Sequence, residues 1–171
     1  SEKLSPMTKN YLSIFLAFSA IAFAQQRPNM TGNTLRPNAV QNINAIQSIS
    51  ATIPYQGVGE TQGFLGQAEY EIFPDFGSGT FDKPIILLDG FDPNDGRNIP
   101  AIYGLLNYGT NQNLADDLRN QGYDIVILNF PNYTRSADNA LISGGSDYIQ
   151  RNAMILVELL NQINAMKVGG Q

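Results

Sequence analysis

The 171-residue sequence contains no cysteine and no histidine. Without cysteine there is no disulfide and no thiolate chemistry. Without histidine as well, the usual zinc ligand sets and any Ser–His–acid or Cys–His machine cannot be completed within these residues. Charge is also scarce: Asp, Glu, Lys and Arg make up 15% of the chain, with a formal net charge of −5. Nucleic-acid binding requires a basic stripe, commonly interleaved with aromatic residues, and no such stripe is present. Hydrophobic residues, by contrast, make up 43%. That is enough for one globular domain with a sizeable core, not a chain kept disordered by its charge.

The amino end reads as a processing segment. Met7 and Lys9 form a short basic region, residues 11–22 an apolar one, and Ala22-Phe23-Ala24 the small-x-small pattern cut by signal peptidase. The apolar stretch is shorter than the ~20 residues of a spanning helix, and polar Gln25-Gln26-Arg27-Pro28 follows at once. The pattern therefore predicts a cleavable signal over residues 1–24, with 1–6 as an upstream segment. It implies an exported protein, periplasmic, cell-surface or secreted, with no stable membrane span after cleavage. A chain free of cysteine fits bacterial export, and the N-glycosylation patterns at Asn29 and Asn132 are then chance matches.

Residues 25–65 read as a polar linker and loop. Within them, Gly57-Val58-Gly59-Glu60-Thr61-Gln62-Gly63 lacks the strand–turn–helix context of a dinucleotide fingerprint and reads as a flexible loop. Residues 66–73 alternate, placing Ala68, Tyr70 and Ile72 on one face, which predicts a half-buried antiparallel strand near a sheet edge. Residues 83–93, Lys-Pro-Ile-Ile-Leu-Leu-Asp-Gly-Phe-Asp-Pro, are the centre of the chain. The apolar run 85–88 predicts a strand buried on both faces, with a loop at its carboxyl end, where open α/β sheets place their ligands. Helices are expected over 99–106 and 113–121, the second stopped by Gly122. A second buried strand follows over 123–128. The helical crossover between the two runs predicts that they pair in parallel. A long polar loop is expected over 129–145. A helix over 147–164 follows, N-capped by Ser146 and striped by Ile149, Ala153, Leu156, Leu160 and Ile163. That helix either closes a small domain or leads on to a further strand of a longer protein.

The Asp-Gly-Phe-Asp-Pro loop, the Gly-Tyr-Asp-Ile-Val strand and the Ile-Gln-Arg-Asn-Ala helix together resemble the front half of an α/β-hydrolase, in particular secreted bacterial lipase/esterase-like members. The resemblance runs from about residue 68 to 168. It implies an α/β fold: a partial hydrolase-like sheet with parallel central strands, an antiparallel edge strand and crossover helices, incomplete as it stands. Residues 66–171 would be the amino-terminal half of that domain. It further implies that Gly90 and Phe91 contribute backbone to an oxyanion hole, with the hole donor at the Phe91 N–H. The partner would be a small-molecule or lipid ester, with no cofactor and no metal. The Gly-x-Ser-x-Gly elbow and the histidine of such enzymes are missing from these residues, so this chain alone is expected to be inert. Gly77-Ser78-Gly79 and Gly144-Gly145-Ser146 are not elbows, because neither joins a strand to a helix. Asp89 and Asp92 read as loop structure, capping the 91–96 turn, and their spacing does not match a calcium loop. The alternative reading is a non-catalytic exported binding or adhesion domain that contacts its target through polar loops.

Overall fold

A computed structural model describes residues 45–169. The expected signal segment, and the linker before residue 45, lie outside the described residues. Among the described residues there are eight strands and three α-helices: β1 (Gln47–Ser50), β2 (Gln67–Phe73), β3 (Pro84–Leu88), α1 (Ile99–Gly104), β4 (Asn107–Gly109), β5 (Gln112–Asn113), α2 (Leu114–Asn120), β6 (Asp124–Asn129), β7 (Asn132–Arg135), β8 (Ala140–Ser143) and α3 (Ile149–Met166). A 3-10 turn, Gly144–Ser146, joins β8 to the approach of α3.

The main sheet has the order β1-β2-β6-β3. This corrects the expected fold. Only β3 and β6 pair in parallel, whereas β1–β2 and β2–β6 are antiparallel. Two further two-stranded sheets, β4–β5 and β7–β8, are antiparallel as well. The layout is therefore a set of mixed, mostly antiparallel sheets with three helices, not the parallel-strand α/β-hydrolase-like sheet. The cause lies partly in short polar strands that carry no apolar run. β1 reads Gln-Ser-Ile-Ser, polar apart from Ile49, and it forms by pairing with β2 inside what the sequence presents as linker. The long polar loop expected over 129–145 likewise folds into the β7–β8 hairpin, with Asn139 taking a φ of 58° at its turn.

The individual pairings of the two apolar runs do form as their sequences suggest. β6 is buried along its whole length, and its side chains alternate between two cores because a strand has a period of two. Val126 and Leu128 face Tyr70, Ile72, Ile155, Leu159 and Ile163, while Ile125 and Ile127 face Ile99, Ile102 and Ala115. Helix α3 therefore covers one face of the sheet, and α1 and α2 cover the other. β2 turns Ala68, Tyr70 and Ile72 into the α3 core, as its alternation requires, although it lies inside the sheet and not at its edge.

β3 differs from expectation. It is an edge strand of the sheet, its residues are only half-buried, and Leu88 is 47% exposed. A four-residue apolar run satisfies two helical layers equally well from the middle or the rim of a sheet, so composition alone does not place it.

The helix starts follow local chemistry. Asn98 caps α1 by accepting the Ala101 N–H at 3.0 Å, and Asn113 caps α2 by accepting the Ala115 N–H at 2.8 Å. α3 starts two residues later than expected and has no side-chain cap. Ser146 is occupied in the 3-10 turn, and Asp147 turns its carboxylate to the Tyr148 N–H at 2.8 Å and to Arg151 at 2.7 Å.

Candidate functional site

The loop leaving β3 is held from within. The Asp89 N–H donates to the Leu128 carbonyl at 2.9 Å, carrying the parallel ladder one residue past the strand. The Asp92 carboxylate accepts the Arg97 N–H at 2.8 Å. The Gly96 N–H, opposed by burial and assisted by Arg97 and Asn94, keeps that carboxyl below the usual range. This is the capping role expected of Asp92. Asp89 does something else: it accepts from the Arg97 Nε at 2.8 Å, and the Arg97 Nη2 donates to the Phe91 carbonyl at 3.1 Å.

A second wall faces this loop, built from the end of β8, the 3-10 turn and the first turn of α3. The Asp92 N–H donates to the Gly145 carbonyl at 3.1 Å, and the Ser143 hydroxyl donates to the Pro93 carbonyl at 2.9 Å. Glycine is needed at 145 because a Cβ there would lie 2.5 Å from the Asp92 carbonyl oxygen. The Asn132 N–H donates across to Asp95 at 3.1 Å, so the hairpin also clasps the loop.

Between the two walls lies a cleft of about 420 Å³, lined mostly by apolar side chains from Leu88 and Phe91 to Ile149 and Leu156, with Gly90 and Gly145 as bare backbone and Asp89, Asp147 and Asn152 as its polar members. Its rim is apolar and open, with Phe91 76% and Ile149 82% exposed. Both sequence-predicted site residues, Gly90 and Phe91, are thus at the cleft. Their N–H groups have no acceptor among the described residues. A Cβ at Gly90 would meet nothing within 4 Å. The local packing does not demand glycine at this position; what glycine leaves is room for an approaching group.

The two serines set aside as nucleophiles are engaged in turns. The Ser78 hydroxyl donates to Asp75 at 2.6 Å, and that of Ser146 to the Ser143 carbonyl at 3.5 Å. No group of three or more acidic residues among the described residues is placed to hold a metal ion. Among the described residues no helix is long and apolar enough to cross a membrane.

Sequence reasoning missed the polar frame under the cleft. Arg151, on the buried side of α3, pairs with Glu60 and with Asp147, and its Nη2 donates to the Tyr55 carbonyl at 3.2 Å. Glu60 also holds Arg135 at 2.8 Å, and Arg135 stacks 3.5 Å over the Phe64 ring. The glycine-rich loop 57–63 is therefore tied to the helix and to the hairpin. An arginine inside an apolar helical stripe was the one available signal.

Several carboxylates are held in their charged form, which sets an acid limit on the fold. The Ser78 hydroxyl and N–H, with the Gly77 and Gly79 N–H groups, bring Asp75 down to about 2. Burial works against Glu60, but Arg135, the Gly57 N–H and Arg151 leave it lowered overall. Asp138 is lowered first by Arg135. A carboxyl whose folded value is depressed stabilises fully above its unfolded value, about 4, and loses that contribution as pH falls through the folded one. The urea midpoint is thus expected to be flat from about pH 7 to 5 and to fall between about pH 4 and 2. Asp75→Asn should flatten the lower part of that fall; an unchanged profile would remove Asp75 from the account.

No family model matches the chain, and neither a curated protein nor a solved structure matches it.

Proposed function

We propose that the cleft beside Gly90 and Phe91 is the acyl side of an ester-hydrolysing site in an exported protein, with the nucleophile and its base supplied by residues outside this sequence. The observation that carries this reading is the conjunction at the end of β3. An open, largely apolar cleft is lined by two consecutive residues, Gly90 and Phe91, whose backbone N–H groups have no acceptor among the described residues. An apolar cleft suits an acyl or alkyl chain. Unpaired N–H groups beside it suit the oxygen that becomes negative when an ester carbonyl is attacked, because a preorganised donor costs no reorganisation as charge develops. The reading takes its support from this local geometry and from the loop motif, not from the sheet topology. The substrate class is a small-molecule or lipid ester.

The direct test is hydrolysis of p-nitrophenyl esters of short and long chain by the full-length protein. Turnover is expected, and Gly90→Val should reduce it at least tenfold with an unchanged melting temperature, since the added methyls enter open space at the cleft. A full-length protein that binds such esters but does not turn them over would favour the second reading, a non-catalytic exported binding domain. That reading draws on the lack of any nucleophile–base pair at the cleft among the described residues.

A further inference from the structure

We propose that Arg97 is a positioning residue for this site: it sets the orientation of the Phe91 backbone without itself reaching the cleft. The inference rests on the ester-site reading and deepens it by naming what holds the donor in place. The Phe91–Asp92 peptide is gripped at both ends. Its carbonyl accepts from Arg97 Nη2 at 3.1 Å, and its N–H donates to the Gly145 carbonyl at 3.1 Å. A peptide plane held on both sides fixes the two backbone angles flanking it. The Phe91 N–H belongs to the preceding peptide, which joins the gripped plane at the Phe91 Cα and the rest of the loop at Gly90, where an added Cβ would meet nothing within 4 Å.

The guanidinium is suited to this task because it is itself anchored. Its Nε donates to Asp89 at 2.8 Å, and the Asp92 carboxylate lies 3.9 Å from the same nitrogen. The Asp89 side chain is 4% exposed, and Asp89 is tied to β6 through its own N–H. Arg97 therefore links the rigid end of β3 to the carbonyl of Phe91, two residues farther on. A planar fork with several donors can hold both contacts at once. Lysine, a single ammonium on a loose stem, can keep the carboxylate but not the fork. Removing Arg97 leaves the Phe91–Asp92 peptide with the Gly145 bond alone, and the open space around Gly90 lets the preceding peptide turn.

The experiment has two arms. In the first, amide hydrogen exchange is followed without any ligand in the wild type, Arg97→Gln and Arg97→Lys. The Asp92 N–H, the protected amide of the gripped peptide, should exchange at least tenfold faster in Arg97→Gln, with β6 and α3 unchanged. Unchanged exchange at Asp92, or faster exchange throughout β6, would overturn the proposal. In the second, ester hydrolysis by the full-length protein should lose about 100-fold in kcat with KM within about threefold in Arg97→Gln, the size of effect seen when one oxyanion donor is lost. Arg97→Lys should recover part of that loss. A fall confined to KM would also overturn the proposal. If the wild-type protein does not hydrolyse esters at all, the ester-site reading fails. The exchange arm then still decides whether Arg97 orders the Phe91 backbone.

Discussion

Asp124→Ala is expected to destabilise the protein by about 3–5 kcal/mol, read as a lower urea midpoint at unchanged slope. Asp124 opens β6 and is 0% exposed. Its two carboxylate oxygens accept three backbone N–H groups: Asp75 at 3.1 Å, Asp82 at 2.9 Å and Lys83 at 3.2 Å. Those donors, buried at Asp75 and partly buried at Asp82 and Lys83, come from the connection between β2 and β3, which has no regular structure of its own to pair them. Deleting the carboxylate strands all three donors at once, and each stranded donor costs about 1–3 kcal/mol where water cannot reach it. Asp124→Asn is expected to lose roughly half as much. One carboxamide oxygen still accepts, but its NH₂ group opposes a donor. A loss under about 1 kcal/mol in the alanine variant would show that water takes over these bonds and that the carboxylate is not the keystone of the connection.

Arg151→Met is expected to cost a similar amount, about 3–5 kcal/mol. Arg151 is 1% exposed, and it bridges Glu60, Asp147 and the Tyr55 carbonyl. Breaking a buried ion pair from one side is costly because the other charge stays behind without compensation. Here Asp147 is left with the Tyr148 N–H and a Tyr133 hydroxyl at 3.3 Å. That hydroxyl is itself pushed up to about 12, chiefly by burial and then by the Asp147 charge. The same physics predicts a rescue. Adding Asp147→Asn to Arg151→Met should restore a large part of the loss, because the stranded charge goes with its partner while Glu60 keeps Arg135. If the double variant is no more stable than Arg151→Met, the arginine acts through its guanidinium over the Phe64 and Tyr148 rings, and not through its pair with Asp147. The loss should also loosen the 3-10 turn beside the cleft, since Asp147 anchors the approach to α3.

Much of the core was legible because it depends on period. The alternation of Ala68, Tyr70 and Ile72 and the continuous run Ile125, Val126, Ile127 and Leu128 each require buried strands. The face of the last helix was misplaced: of the expected stripe, Ile149, Ala153 and Leu160 are exposed and only Ile163 is fully buried. The helix instead turns Arg151, Ile155, Leu159 and Ile163 inward, because several apolar residues round its circumference leave the choice of face to the sheet it packs on. Capping was legible only in part. Asn113 and Gly122 are where a helix start and stop should be, yet Ser146 does not cap α3, because Asp147 and Arg151 draw that turn into a tertiary network. The place of Gly90 and Phe91, on a loop beside the cleft, was legible from one feature, a glycine-bearing turn that leaves an apolar strand. Arg97 and Arg151 were not, because an isolated arginine carries no pattern until its partners are brought beside it from distant parts of the chain.

By itself, then, the sequence determined which segments are buried and with what period, which reactions are excluded for want of histidine and cysteine, and which loop could offer bare backbone to a ligand. Only the tertiary structure decided the order and direction of the strands. It moved the central apolar run to the rim of the sheet, recruited the polar segment 47–50 as a strand, and assembled the carboxylate and guanidinium frame around the cleft. The physical reason is that burial is a local preference summed along the chain. Strand partners and ion pairs, by contrast, are choices between distant segments that local preference leaves nearly equal in energy.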